Sequence, residues 1–203
     1  MSHNTWLHRI VRLPMRPLAR TRVTPDQVTM LRLVTGLGAA VVCALGPGAW
    51  QHAGVSLFLA SVLMDRADGE LARLTANTSD RGHRYDLIAD TICNACIFLG
   101  IGIGLRDGWL GSWAVLLGAA AGLAISAIFL IVLEQERRQG PRAAELGSKA
   151  GFDPDDGILA VPLLVWFGFA QELIIASAVG APAFAVFLFL RARQKKTGER
   201  QET

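Results

Sequence analysis

Four aspartates carry the pattern in this 203-residue chain that is most capable of chemistry. Asp65 and Asp68 are three apart, and Asp86 and Asp90 four apart, within DRADGELARLTANTSDRGHRYDLIAD. On helices each pair shares one face. Apolar segments long enough for a bilayer flank the stretch on both sides, and ionisable groups at a membrane boundary are costly unless paired. Antiparallel neighbouring helices joined by a short loop bring all four carboxylates together, where they repel. Facing lipid, a cost of ~3 kcal/mol each would sum to roughly 10 kcal/mol. One or two divalent cations resolve the repulsion, and an all-oxygen set suits Mg²⁺ or Mn²⁺ rather than zinc. Such ions are also the usual handlers of phosphate.

The residues between the aspartates point the same way. Gly69 and Ala72 follow Asp68 by one and four positions, so a ligand has room to approach the backbone. Gly82 lies four before Asp86 on the same face, and Arg73 supplies a planar cation for a phosphate or an aspartate. A surface Asp–Arg network with helix-packing glycines would account for a lone DxxDG, but not for the whole constellation.

The rest of the chain has to hold this stretch in place. Hydrophobic residues make up 52% and charged residues 18%, and mean hydropathy is +0.37. Soluble domains carry about a quarter charged residues, so one polytopic, all-α membrane domain is predicted. Cys43, Cys93 and Cys96 lie in apolar tracts, an odd number read as packing residues rather than a disulfide or metal pair. The first 25 residues carry five arginines and no continuous apolar run, which speaks against a cleavable signal peptide.

Residues 4–21 place Arg9, Arg12, Arg16 and Arg20 on one helical face and Trp6, Leu7, Ile10, Leu13 and Leu18 on the other. That pattern predicts an amphipathic interfacial helix. Thr24-Pro25-Asp26-Gln27 is a helix start with a capping box, opening a first span to about Leu45 that ends at Gly46-Pro47-Gly48. Arg32, one turn inside, is expected to snorkel or to point into a polar cavity. A second span runs from near Gln51 through Leu74, and a third from near Gly82 to about Leu105, with Asp86, Asp90 and Asn94 at four-residue spacing. A fourth runs from about Leu110 to Leu133, and its Gly118 and Gly122 suit close helix packing. A charged loop, Glu134–Asp156, follows. Ile158–Leu190 is too long for one span and is divided into spans five and six at Gln171-Glu172. The tail is expected to be disordered from about Thr197. The domain division is therefore 1–23 juxtamembrane, 24–193 catalytic and 194–203 polar tail.

Basic residues test this topology. Segments 1–32, 66–84, 134–156 and 191–203 hold 19 of the 20 Lys and Arg, and the intervening turns hold Arg106 alone. The positive-inside rule then puts both termini and the aspartate stretch in the cytoplasm. A prokaryotic inner membrane is the expected location.

Asp65-x2-Asp68-Gly69-x2-Ala72-Arg73-x8-Gly82-x3-Asp86-x3-Asp90 resembles the full signature of the CDP-alcohol phosphotransferase (CDP-alcohol phosphatidyltransferase) family. The resemblance extends to an amphipathic N-terminal helix and six spans, with the signature across spans two and three. It implies transfer of a phosphatidyl group from a CDP-alcohol, most simply CDP-diacylglycerol, to a small polar alcohol, with release of CMP. By the same resemblance Asp65, Asp68 and Asp86 are metal ligands for two Mg²⁺ or Mn²⁺ ions. Asp90 is the general base and also touches the second metal. Gly69, Ala72 and Gly82 shape the cytidine pocket, which Arg73 helps to hold, and a homodimer is implied. Many relatives carry Pro-Asn before a Thr where this chain has Pro25-Asp26…Thr29. Asp26 cannot donate as Asn does, so it is left to meet Arg32 or cytidine, with Thr29 beside it in the CDP-alcohol site.

The acceptor is not assigned. Arg137, Arg138, Arg142 and Lys149 lie where related enzymes bind a phosphorylated acceptor, and equally where a positive-inside loop would lie over anionic lipid. Asp153, Asp155 and Asp156 favour a neutral or cationic acceptor, or cap a helix and pair with arginines. The competing readings are a donor with a CDP-linked small alcohol or inositol-type group and, in another class, a divalent-cation transporter. Transporters place ions near the midplane, often within repeats; no repeat is visible here. No nucleic-acid partner is expected.

Overall fold

The computed structural model describes residues 21, 23–75, 79–139 and 154–199. Among them there are helices and no strands. The elements are α1 (Pro25–Ala44), α2 (Ala49–Leu74), α3 (Asp80–Gly104), α4 (Trp113–Gln139), a 3-10 turn (Pro154–Leu159), α5 (Ala160–Trp166) and α6 (Ala170–Glu199). The predicted amphipathic segment at 4–21 lies outside the described residues, apart from Thr21.

α1 begins where its sequence dictates. The Thr24 hydroxyl accepts from the Gln27 amide at 3.4 Å, and the Gln27 side chain accepts from the Thr24 amide at 3.1 Å. This reciprocal box satisfies two orphan donors of the first turn. After Leu45 the chain reverses through Gly46 and Gly48, whose φ values of 147° and 70° suit glycine. On α3, Ser79 caps the helix by accepting from the Gly82 amide at 3.0 Å.

α1 packs on both α2 and α3, α3 on α4, α4 on α6, and α5 on α2. Lipid tails are as apolar as leucine, so helices in a bilayer associate through close packing rather than hydrophobic burial. Small residues permit it here. A Cβ on Gly100 would collide with the Ala40 backbone, one on Gly104 with the Cys43 carbonyl, and one on Gly36 with the Cys93 side chain, so α1 and α3 nearly touch. Gly118 meets Phe98 and Gly102 of α3, and Gly122 meets Ala95. The small face predicted on the fourth span is thus filled by α3 of the same chain. Phe58, Ile97 and Ile101 close the core, together with Cys43 and Cys93, which serve as packing residues.

Among the described residues, four segments are long and apolar enough to cross a membrane: Pro25–Ala44, Arg81–Gly104, Trp113–Gln135 and Ala170–Arg191. α2 has the length, but its C-terminal third carries the charges of the aspartate stretch. Three boundaries differ from expectation. α4 continues to Gln139, so the charged loop begins later than Glu134. α6 remains helical to Glu199, past the start of the disorder expected from Thr197. The break in the last apolar tract falls at Phe167–Phe169 instead of Gln171-Glu172. Gly168 takes φ 85°, its amide donates to the Val165 carbonyl at 3.0 Å, and the Phe169 amide reaches the Leu164 carbonyl at 2.8 Å. A left-handed glycine cap ends α5 there, and Gln171 and Glu172 form the first turn of α6.

Contacts at each end orient the helices. Arg106 donates to the Ala44 carbonyl at 3.3 Å, Gln51 to the Ile101 carbonyl at 3.4 Å, and Trp109 to Gln171. These ties gather the end of α1, the start of α2, the end of α3 and the start of α6. The start of α1, the end of α2 and the start of α3 meet at the opposite end.

Candidate active site

Helical spacing delivers the aspartates to that second end. Asp65 and Asp68 face inward near the end of α2, and Asp86 and Asp90 stand on α3 across from them. Asp65, Asp68 and Asp86 each offer a carboxylate oxygen, and these oxygens lie within 4.8 Å of one another. Asp68 is buried and Asp65 and Asp86 are half-buried. The Asp68 Oδ2 accepts from the Thr29 hydroxyl at 2.8 Å, which ties α1 to α2 at the site.

Arg32 occupies the centre of the cluster. It is 2% exposed. Its Nη1 lies 2.7 Å from Asp65 Oδ1 and 2.8 Å from Asp86 Oδ1, and its Nη2 lies 2.5 Å from Asp90 Oδ1. The Ser61 hydroxyl donates to the Arg32 carbonyl at 3.0 Å, holding that turn of α1 against α2. Asp90 Oδ1 also accepts from Asn94 Nδ2 at 2.9 Å. Of the two fates expected for Arg32, the polar cavity is the one observed. Its ionic partners are Asp65, Asp86 and Asp90, so Asp26 does not pair with it.

The other sequence candidates fall into two groups. Asp26 and Gly82 line a cavity of about 660 Å³ together with Ser79, Arg81, Arg84, Tyr85 and Ile88. A Cβ on Gly82 would stand 3.1 Å from Ser79 Oγ and 3.8 Å from Asp26 Oδ1, so the glycine keeps α1 and α3 open to a ligand there. Gly69 and Ala72 are half-buried on α2, and Arg73 forms an ion pair with Glu70 at 3.3 Å. Arg137 is exposed near the end of α4. Lys149, Arg142 and Asp153 lie outside the described residues, as do the side chains of Arg138, Asp155 and Asp156.

The donor set fits a divalent ion. Three convergent carboxylate oxygens are hard ligands suited to Mg²⁺ or Mn²⁺. Arg32, together with the buried Arg66 whose Nη1 lies 3.9 Å from Asp65 Oδ2, adds two positive charges to four carboxylates, so the cluster keeps a formal charge of −2. A site with that residual charge at a membrane boundary favours further cations.

The fold and site together define an all-helical apolar bundle with a carboxylate cluster suited to a divalent ion at one end, the frame of a metal-dependent membrane enzyme. The chain belongs to the CDP-alcohol phosphatidyltransferase family, whose model matches residues 22–187. It is 36% identical over 88 residues to a bifunctional IPC transferase and DIPP synthase of Rubrobacter xylanophilus, which covers 43% of this chain and 19% of that protein. It is 31% identical over 93 residues to a phosphatidylinositol phosphate synthase of Cutibacterium acnes, covering 44% of each. The matched regions thus span less than half the length of these relatives. Its fold resembles crystal structures of Mycobacterium tuberculosis phosphatidylinositol phosphate synthase. The one with manganese and citrate gives a TM-score of 0.67 at 18% identity, covering 88% of both chains. The one with CDP-DAG bound gives 0.65 at 21% identity, covering 92% of this chain and 91% of the other.

Proposed function

We propose that this protein is a metal-dependent transferase of phospholipid synthesis. It moves a phosphatidyl group from CDP-diacylglycerol to the hydroxyl of a small polar alcohol and releases CMP. The observation that carries this reading is the convergence of Asp65, Asp68 and Asp86 within 4.8 Å beside Asp90 and the cavity over Gly82.

Asp65, Asp68 and Asp86 would hold Mg²⁺ or Mn²⁺, one or two ions, with Asp90 at the edge of the second. Bound there, the metal supplies positive charge for the donor diphosphate and the leaving CMP. Asp90 takes the proton from the acceptor hydroxyl, a role for an ionised carboxylate within reach of solvent; its side chain is 45% exposed. Gly69, Ala72 and Gly82 leave backbone accessible to cytidine and ribose, and Arg73, Asp26 and Thr29 complete the nucleotide side. For a phosphorylated acceptor, Arg137, Arg138 and Lys149 are the proposed contacts. The mycobacterial neighbour bound to CDP-DAG supports a lipid-linked donor.

Six spans follow an interfacial N-terminal helix in this reading, α2 and α5 adding to the four long apolar segments. Both termini and the site face the cytoplasm of a prokaryotic inner membrane. Trp50, Trp109, Trp113 and Phe167 are exposed at the opposite end, as a belt at the far interface requires. The working form is a homodimer. The cation-transporter reading loses support because the aspartates gather at one end of the bundle, not midway along it.

The deciding experiment measures Mn²⁺-dependent CMP release from CDP-diacylglycerol across a panel of acceptor alcohols. Asp65→Asn, Asp68→Asn and Asp86→Asn should abolish both release and Mn²⁺ binding, whereas Asp90→Asn should abolish release and retain at least one bound ion. Failure of every CDP-alcohol to bind the wild-type protein would sink the proposal.

A further inference from the structure

We infer that Arg32 is a positioning residue, a tethered cation that gathers the aspartate carboxylates and must yield Asp65 and Asp86 to an arriving divalent ion. Two observations lead there. First, one guanidinium draws on three carboxylates from two helices, at 2.7, 2.8 and 2.5 Å. Its Nη1 serves Asp65 and Asp86, members of the convergent triad, while its Nη2 serves Asp90, which stands outside that triad. Second, Arg32 Nε is buried with no hydrogen-bond partner. A guanidinium has five N–H donors, and a buried orphan among them is costly. The arrangement is held by charge rather than by full satisfaction of hydrogen bonds.

Charge explains why the residue is needed. Without metal, the carboxylates face one another in a half-buried site, and Arg32 is the nearest compensating cation. When a divalent ion arrives, Arg32 and the ion compete for Asp65 and Asp86. Asp90 differs because Asn94 holds the same Oδ1 at 2.9 Å. Arg32 and Asn94 together fix the orientation of the Asp90 carboxylate at the edge of the triad. The base role of Asp90 rests on the function proposed above; the competition between Arg32 and the metal does not.

The test uses the full chain in lipid nanodiscs with Mn²⁺ alone as the probe. Mn²⁺ affinity is read by electron paramagnetic resonance, and melting temperature is read in EDTA and in Mn²⁺. Arg32→Gln should lower the melting temperature in EDTA and enlarge the Mn²⁺-induced rise. It should also tighten Mn²⁺ binding by about tenfold, the scale of one lost repulsive charge. Arg32→Lys keeps the charge without the fork and should fall between the two, so it serves if the glutamine variant does not fold. Asn94→Ala should leave Mn²⁺ affinity within about threefold and the donor KM unchanged while kcat falls by about tenfold or more, the signature of a misplaced reacting group.

Weaker or unchanged Mn²⁺ binding in Arg32→Gln overturns the tethered-cation role. Parallel loss of Mn²⁺ affinity and kcat in Asn94→Ala overturns the orienting of Asp90 by Asn94. If Asp90→Asn instead retains CMP release, the base assignment fails, and the Mn²⁺ titrations of the Arg32 variants still decide their own question.

Discussion

Gly100→Ala tests how the fold supports the site. A Cβ at Gly100 would overlap the Ala40 carbonyl oxygen and stand 2.9 Å from Ala40 Cα and carbonyl carbon. Carbon atoms pack at about 3.5–4.0 Å, so α1 and α3 must separate by roughly 1 Å. Overpacking costs about 1–3 kcal/mol, and the helix propensity gained from alanine returns only about 0.5–1 kcal/mol. A net loss of about 1–2 kcal/mol is therefore expected. Gly100 lies ten residues beyond Asp90, about 15 Å along α3, yet the same two helices carry Arg32 and its partners Asp86 and Asp90. Displacement of about 1 Å at reacting groups costs on the order of 10²-fold in rate, so CMP release should fall further than stability alone explains. Gly36→Ala provides the control. Its Cβ would strike the Cys93 side chain, with Cys93 Cβ and Ser61 Oγ both at 2.9 Å. There the obstacle is side chain, so Cys93→Gly should recover part of the loss in a double-mutant cycle. At Gly100 the obstacle is backbone, and no side-chain deletion should relieve it. Wild-type melting temperature and wild-type CMP release in Gly100→Ala would refute the close α1–α3 approach.

Three further outcomes are expected. Thr29→Val removes the 2.8 Å hydrogen bond to buried Asp68, so stability in Mn²⁺ should drop by about 1.5–3 kcal/mol, the range for a bond to a charged group; an unchanged melting temperature would show that Asp68 is held by other partners. Gly82→Val places branched carbons between Ser79 and Asp26 in the 660 Å³ cavity, raising the KM for CDP-diacylglycerol while Mn²⁺ affinity stays constant, and an unaltered KM would move the nucleotide elsewhere. Single cysteines at Ser79 and Asp107, in a protein cleared of Cys43, Cys93 and Cys96, should react with impermeant reagent from opposite faces of the membrane; labelling from one face would break the proposed topology.

The sequence was most legible where a local rule suffices. The capping box at Thr24 and Gln27 appears as read, because it depends on four consecutive residues. The Gly118/Gly122 face packs closely, although its partner is α3 of the same chain. Boundaries were less legible. Gly168 ends α5 by taking a left-handed conformation, whereas the polar Gln171 and Glu172 suggested a break three residues later. The polar pair marks where side chains meet water or Trp109, and helices end where the backbone allows. α4 and α6 outran their apolar stretches for a related reason: a helix need not stop where the bilayer does.

At the site the division is similar. Spacing alone put Asp65 with Asp68 and Asp86 with Asp90, since helical periodicity is a property of the chain. It also exposed a charge problem that cations must resolve. What spacing could not reveal was how the two pairs are shared out. Arg32 lies 33 residues before Asp65, and sequence left it a choice between snorkelling and a cavity. The close approach of α1 to α3 through Gly36, Gly100 and Gly104 settled that choice. It brought one guanidinium within 2.5–2.8 Å of three carboxylates. The chain by itself determined which groups carry charge and which share a helical face. Only the packed bundle decided which charges meet, because Coulomb energy depends on distances through space, and those were set by backbones that glycine allowed to touch.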